Sequence, residues 1–197
     1  MNSIKKLPDL AIDLVYSFTI FKPDSKEILQ KAVDDWCKNR HSAMNKYGHI
    51  SIWDTSLITD MSFLFNYKKE FNDDISKWNV SNVTNMSNMF YTAHSFNQCI
   101  KDWDVSKVTN MMGMFSCAHS FNQPIEKWDV SNVKIMNCMF DSAYAFNQPI
   151  IKNWDVRKVT SKTNMFYCTH SFNQPISDWD TNNDIQMANI LYRNTNE

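Results

Sequence analysis

Glycine is nearly missing: Gly48 and Gly113 are the only two among 197 residues. A GxGxxG turn or a GxxxxGK(S/T) loop needs more glycines than that, so the common dinucleotide and P-loop nucleotide sites are excluded. An excess of one charge is missing as well. Twenty Lys and Arg stand against 21 Asp and Glu, for a net charge of -1, which argues against general binding to nucleic-acid phosphates. Long hydrophobic runs are also lacking. The most apolar stretch, residues 7–21, is interrupted by Asp9 and Asp13; it is shorter than a membrane span and no small-residue cleavage site follows it. The expectation for it is a cap helix, with neither a signal peptide nor a membrane span. What the chain does have is 23 Asn, 12 Met and 27 aromatic residues, a mixture that suits repeated copies of one short unit.

The copies are visible directly. Trp53, Trp78, Trp103, Trp128, Trp154 and Trp179 recur at intervals of 25 residues, with one of 26. Phe65, Phe90, Phe115, Phe140 and Phe166 keep the same step, as do Phe71, Phe96, Phe121, Phe146 and Phe172. Columns of Ile (75, 100, 125, 150, 176), Val or Ile (58, 83, 108, 133, 159) and Met (61, 86, 111, 136, then 89, 114, 139, 165) lie between them. The extra residue falls between Ile150 and Trp154 and predicts a local bulge. One copy buries too little apolar surface to offset the entropy of ordering its backbone, so copies must stack. The period therefore predicts an α/β repeat solenoid of about six coils.

Within a copy, Val83, Met86, Met89 and Phe90 are spaced as a helical stripe behind Ser81, which predicts a short helix over 82–91. Trp103-Asp104-Val105 alternates in-out-in and predicts a short parallel strand. Asn72, Asn97, Asn122, Asn147 and Asn173 predict an inward asparagine ladder that satisfies turn backbone groups. Arrays also need covered ends. Residues 24–47 carry apolar side chains at helical spacing, with Asp24 and Glu27 as a capping box and Gly48 as the stop, which predicts one amphipathic helix roofing the first coil. The organisation expected is a helical cap over 1–50 and a solenoid over 51–197. After Trp179, Asp184 replaces the Val, while Met187, Ile190 and Leu191 hold column positions, so the last copy decays into a cap.

Cysteines 37, 99, 117, 138 and 168 are odd in number, and no CxxC motif is present. Cys117 and Cys168 share a repeat position but stand two coils apart, roughly 10 Å, too far for a disulfide. Free thiols suit a reducing compartment, so the protein is expected to be intracellular. His94, His119 and His170 share a position with Tyr144; two imidazoles about 5 Å apart could ligate a metal, but such sites need three or four convergent ligands. They read more simply as half-buried turn residues. An acidic residue follows the Trp in most copies: Asp54, Asp104, Asp129, Asp155 and Asp180, with Asn79 in the second, while Asp102 and Asp178 add charge nearby. A line of like charges calls for an offset. Either each carboxylate accepts backbone N–H bonds from the turn that follows, or the face meets a basic partner surface or a cation.

Trp-Asp-Val-Ser-Asn-Val at 128–133, Met139-Phe140 and Phe-Asn-Gln-Pro-Ile at 121–125 are similar to the 25-residue repeat of mycoplasma lipoproteins and BspA-like leucine-rich-repeat surface proteins. The resemblance covers about 51–192. Tyr47-Gly48-His49-Ile50 before Trp53-Asp54-Thr55-Ser56 also looks like the leader that precedes such arrays. The resemblance implies a leucine-rich-repeat-like solenoid, a binding or adhesion role, and surface or secreted placement as the alternative compartment. It brings no catalytic residues.

The function expected from the sequence is a non-enzymatic scaffold for a protein or glycan partner, presented by a monomer. The candidate partner-binding residues are Asp104, Asp129, Asp155, Asp180, Asp102 and Asp178. No cofactor, metal or catalytic residue is assigned, because every His, Cys, Asp and Ser candidate lies in a repeated column rather than in one unique convergent set. The alternative is an intracellular adaptor whose N-terminal segment docks a second protein; Leu7-Pro8-Asp9 before two helical stretches resembles the opening of an F-box.

Overall fold

The computed structural model describes residues 20–150 and 153–175. The F-box-like stretch, most of the apolar segment 7–21, Asp178, Asp180 and the decayed last copy therefore lie outside the described residues.

The expected single helix over 24–47 is two. Helix α1 spans Lys26–Lys38 and helix α2 spans Arg40–Tyr47. Ser25, rather than Asp24, caps α1 by accepting the Ile28 N–H. The break falls at Asn39, whose extended backbone (φ -151°, ψ 90°) ends α1 while its side chain accepts the Ser42 N–H and starts α2. An asparagine can stop one helix and cap the next, and periodicity alone misses that. Gly48 closes α2 at φ 70°, as the sequence indicated. A single 3-10 turn, Ile50–Ile52, then leads into Trp53.

From Trp53 onward each copy lies beside the next. Parallel bridges join Asp60 to Asn85, Asn85 to Asn110, Asn110 to Ile135, and Ile135 to Ser161. Around them the amides of Met86, Asn88, Phe90 and Thr92 donate to the carbonyls of Asn110, Met112, Met114 and Ser116, one copy on, while the amides of Met89, Tyr91 and Ala93 donate three residues back. This division is why the helix expected over 82–91 is absent. An α-helix needs every amide for its own i-4 carbonyl, and here alternate amides belong to the neighbouring copy. Asn88 and Thr92 also take left-handed backbone (φ 54° and 61°), which no α-helix contains. The same two positions are left-handed in the other described copies, at Phe63 and Tyr67, Gly113 and Cys117, Cys138 and Ser142, and Asn164 and Cys168.

Trp103-Asp104-Val105 alternates buried, exposed, buried as expected, but it is no strand. Its backbone serves local turns, with the Trp103 amide on the Ile100 carbonyl and the Val108 amide on Val105. Copies are tied here by the indoles. Trp78, Trp103 and Trp128 donate Nε1–H to Ile50, Ile75 and Ile100, each 28 residues back, at 2.8 to 3.3 Å. Trp154 reaches Ile125 across 29 residues at 3.1 Å, and its ring stays parallel to Trp128 (6.5 Å, 4°), so the inserted residue leaves the register intact.

The interior is one continuous cluster that runs from α1 through the copies. Phe65, Phe90, Phe115, Phe140 and Phe166 stack at 5.3 to 5.7 Å with interplanar angles of 2° to 9°, and each packs on the second Phe of its own copy at 3.8 to 4.1 Å. Thr55, which stands where the following copies carry Val80, Val105 and Val130, is fully buried and donates its hydroxyl to the Asn79 carbonyl at 2.9 Å. Helix α1 covers the first copy: Gln30 donates to the Leu64 carbonyl at 3.0 Å, and Lys26 reaches Asp60 and Ser62.

Candidate functional site

The acidic column is built by one recurring turn. Asp54, Asn79, Asp104, Asp129 and Asp155 each accept, through Oδ1, the amide two residues on, at 3.0 to 3.2 Å. Such a side chain substitutes for a backbone carbonyl at the bend, and asparagine serves as well as aspartate, as Asn79 shows. The backbone account of the column is thus present in every described copy.

The carboxylates differ in what else they meet. Asp54 faces Lys22 at 2.8 Å, and Lys22 together with Ser56 lowers its pKa to about 2. Arg157 closes on Asp155 through two nitrogens at 2.8 and 2.7 Å and likewise lowers it to about 2. Both favour the anion in the folded state. Their contribution to stability is present above the ordinary carboxylate range of about 4 and is lost as the pH falls toward 2. Asp104 takes the Ser106 hydroxyl at 2.6 Å together with its amide, and these lower its pKa. Asp104 and Asp129 are exposed in adjacent copies, and Asp102 is exposed two residues before Asp104. The structure therefore brings Asp104 and Asp129 together on one face. It gives Asp155 to a cation of its own copy.

The asparagine ladder exists, but on the surface rather than inside. Asn72, Asn97, Asn122 and Asn147 accept the amides of Asn97, Asn122, Asn147 and Asn173 at 2.9 to 3.0 Å. Gln98, Gln123, Gln148 and Gln174 clamp the same asparagines from the next copy, bonding both carbonyl and amide oxygen. The sequence reading missed the glutamines, although Phe-Asn-Gln recurs in four copies. A third ladder sits beside the acidic column. Asn82 and Asn132 donate to Ser56 and Ser106, and accept from Lys107 and Lys158 at 2.7 Å.

The histidines lie in a flat stack. His94 and His119 are 4.2 Å apart at 11°, His119 and Tyr144 are 4.4 Å apart at 10°, and Tyr144 and His170 are 4.9 Å apart at 24°. Face-to-face rings point their nitrogens sideways rather than at a common centre, so the pair does not converge on an ion. Among the described residues no group of three or more His, Cys, Asp or Glu could hold a metal.

A cavity of about 410 Å³ opens between the cap and the first copy, with Trp36, Cys37, Arg40, Tyr67 and Lys68 in its wall. Its charges pair across it, Arg40 with Asp73 and Lys68 with Asp34, both at 2.7 Å. Desolvation at the cavity wall raises the Cys37 thiol to about 11, although the residue keeps an exposed surface. The thiolate is the reactive form, so Cys37 should alkylate at pH 8 more slowly than free cysteine. Timed iodoacetamide labelling read by peptide mass spectrometry checks this; labelling at the free-cysteine rate would contradict it. All five cysteines are free thiols.

No described helix is long and apolar enough to cross a membrane. A family model described as Mycoplasma protein of unknown function, DUF285, matches residues 31–150 and, in a second overlapping match, 99–197. No curated protein and no solved structure matches the chain.

Proposed function

The chain belongs to this Mycoplasma family, and from that premise we propose that it is a non-enzymatic binding scaffold, a leucine-rich-repeat-like solenoid of the BspA-like kind that offers a laddered face to a protein or glycan partner. Bridges and ring stacks at every step of the repeat support the solenoid reading. Repeat arrays bind through long shallow surfaces rather than enclosed pockets.

One observation carries the choice of face. The turn that uses one oxygen of Asp104 and Asp129 holds both side chains outward in adjacent copies, beside Lys107 and Asn132. A partner with a matching basic row would meet two carboxylates already fixed in place, which lowers the ordering entropy lost on binding.

The turn also makes the test clean. Asparagine keeps the Oδ1 acceptor, as Asn79 does at 3.1 Å, so Asp104→Asn and Asp129→Asn together should leave the melting temperature within about 2 °C. Capture of the native partner by crosslinking in the source cell should fall sharply. Undiminished capture by the double variant would remove this face from the function. The corresponding alanine variants should each lose about 1 kcal/mol in urea unfolding, because the turn amide then has no acceptor.

A further inference from the structure

The described chain enters beside the first copy and runs along it in the same direction. The Phe21 carbonyl accepts the Asp54 amide at 2.9 Å, Lys22 pairs with Asp54 at 2.8 Å, and Lys26 reaches Asp60 at 3.1 Å. The Phe21 ring is held against Tyr47 at 4.7 Å and Trp53 at 5.2 Å. Since residues 21–26 accompany 54–60, the residues before Phe21 are directed back past Ile52 and the end of α2. There a groove of about 330 Å³ lies open, with Ile20, Phe21, Tyr47, Gly48 and Ile52 in its wall.

The groove wall is apolar where the later copies are polar. Ile52 stands at the position of Lys77, Asp102, Lys127 and Asn153. It is 53% exposed, and Ile20 beside it is 56% exposed. One apolar side chain in solvent needs no explanation. Here an isoleucine replaces lysine, aspartate or asparagine in the one copy that the N-terminal chain passes, and it shares a groove with a second exposed isoleucine at the point where that chain enters.

We propose that residues 10–19 of this same chain occupy the groove as an extended segment, with the Phe18 ring seated against Ile52 and Tyr47. The sequence supplies the pattern. Leu10, Ile12, Leu14, Tyr16, Phe18 and Ile20 alternate with Ala11, Asp13, Val15, Ser17 and Thr19, a period of two that gives an extended chain one apolar edge. An amphipathic helix would repeat near 3.6, so the apolar content that suggested a cap helix fits the shorter period better. Ile20 is already in the groove wall, and the residue two before it falls on the same side about 6.6 to 7 Å further along. That residue is Phe18.

Reach favours this occupant over a separate molecule. Only Thr19 separates Phe18 from Ile20, and Phe21 is fixed on Asp54, so the segment meets the groove at high effective concentration and loses little entropy on docking. A second protein that used residues 10–19 as its docking site would first have to lift them from the groove. The N-terminal end of the molecule is therefore closed upon itself. The inference stands apart from the scaffold reading.

The experiment replaces Phe18 in the full chain by photoreactive benzoyl-phenylalanine and irradiates a dilute equal mixture of light and heavy-isotope protein. Mass spectrometry should find crosslinks from residue 18 to residues 44–53, within light chains and within heavy chains only. Hydrogen exchange gives a second readout. The Asp54 amide, which donates to Phe21, should exchange about tenfold faster in Phe18→Asp and at the native rate in Ser17→Asp, which adds charge on the side that already carries Asp13. Circular dichroism checks the folds; if Phe18→Asp does not fold, Phe18→Ala should speed the same amide several-fold. Mixed-isotope crosslinks would give the groove to a second copy and overturn the inference. So would crosslinks to residues outside 44–53, no crosslink at all, or unchanged exchange in the folded Phe18 variant. Those failures leave partner capture through Asp104 and Asp129 unaffected, and loss of that capture leaves this docking unaffected.

Discussion

Phe115→Ala should lower folding stability by about 3 to 5 kcal/mol, the range for removing a buried phenyl ring. Phe115 is fully buried, with Phe121 at 3.9 Å, Phe90 at 5.6 Å and Phe140 at 5.7 Å. The cavity left behind has little freedom to collapse. Backbone bonds on either side, from Phe115 to Met139 and from Phe90 to Met114, both 2.9 Å, hold the copies at a fixed step. Urea unfolding measures the loss, and Phe115→Leu, which retains most of the volume, should lose much less. A loss below about 1 kcal/mol for the alanine variant would mean that the rings do not share one tightly packed interior. A fall in the slope of the transition together with its midpoint would mean that the array has split into separately unfolding blocks, since each copy contacts only its neighbours.

Trp36→Ala should cost a similar 3 to 5 kcal/mol, and for a different reason. This indole joins the cap to the first copy. Its ring meets Trp53 edge-on at 6.0 Å and His49 at 5.2 Å, and its N–H donates to Asp73 at 2.9 Å. Arg40 contacts the same carboxylate at 2.7 Å and lies 5.5 Å over the ring. Trp36→Phe separates the parts, because it keeps an aromatic body and removes only the N–H bond to a charged acceptor, for a loss of about 1.5 to 3 kcal/mol. Denaturant unfolding combined with limited proteolysis reads both. If Trp36→Ala leaves the repeats at native stability while residues 26–47 become cleavable, the array folds without help from the cap.

The large apolar columns were legible because a side chain repeated every 25 residues needs the same surroundings in every copy. Trp53, Phe90, Met114 and Ile125 are buried where their period placed them. The turn role of the acidic column was legible for the same reason. The local backbone was not. Val83, Met86 and Met89 are spaced as a helix stripe, yet the amides between them bond to carbonyls a full copy away, information that no eleven-residue window contains. The left-handed corners were hidden too. Left-handed backbone is usually marked by glycine, and here Gly113 alone marks the series at 63, 88, 113, 138 and 164. The stack from His94 to His170 was visible as a period, but its flat geometry follows from the close step between copies. Asn39 was missed because it is polar, as a helix face can be, and its double capping role shows only in its backbone angles.

The residue added between Ile150 and Trp154 makes a practical point about how such a chain can change. Since Trp154 lies parallel to Trp128 at the usual depth despite the longer path, the corner ahead of each tryptophan tolerates a length change that the interior does not register. Insertions and deletions should therefore accumulate at these corners during divergence. For the same reason the segments before Trp103 and Trp128 are the places to graft a foreign loop, an epitope or a dye-labelling tag.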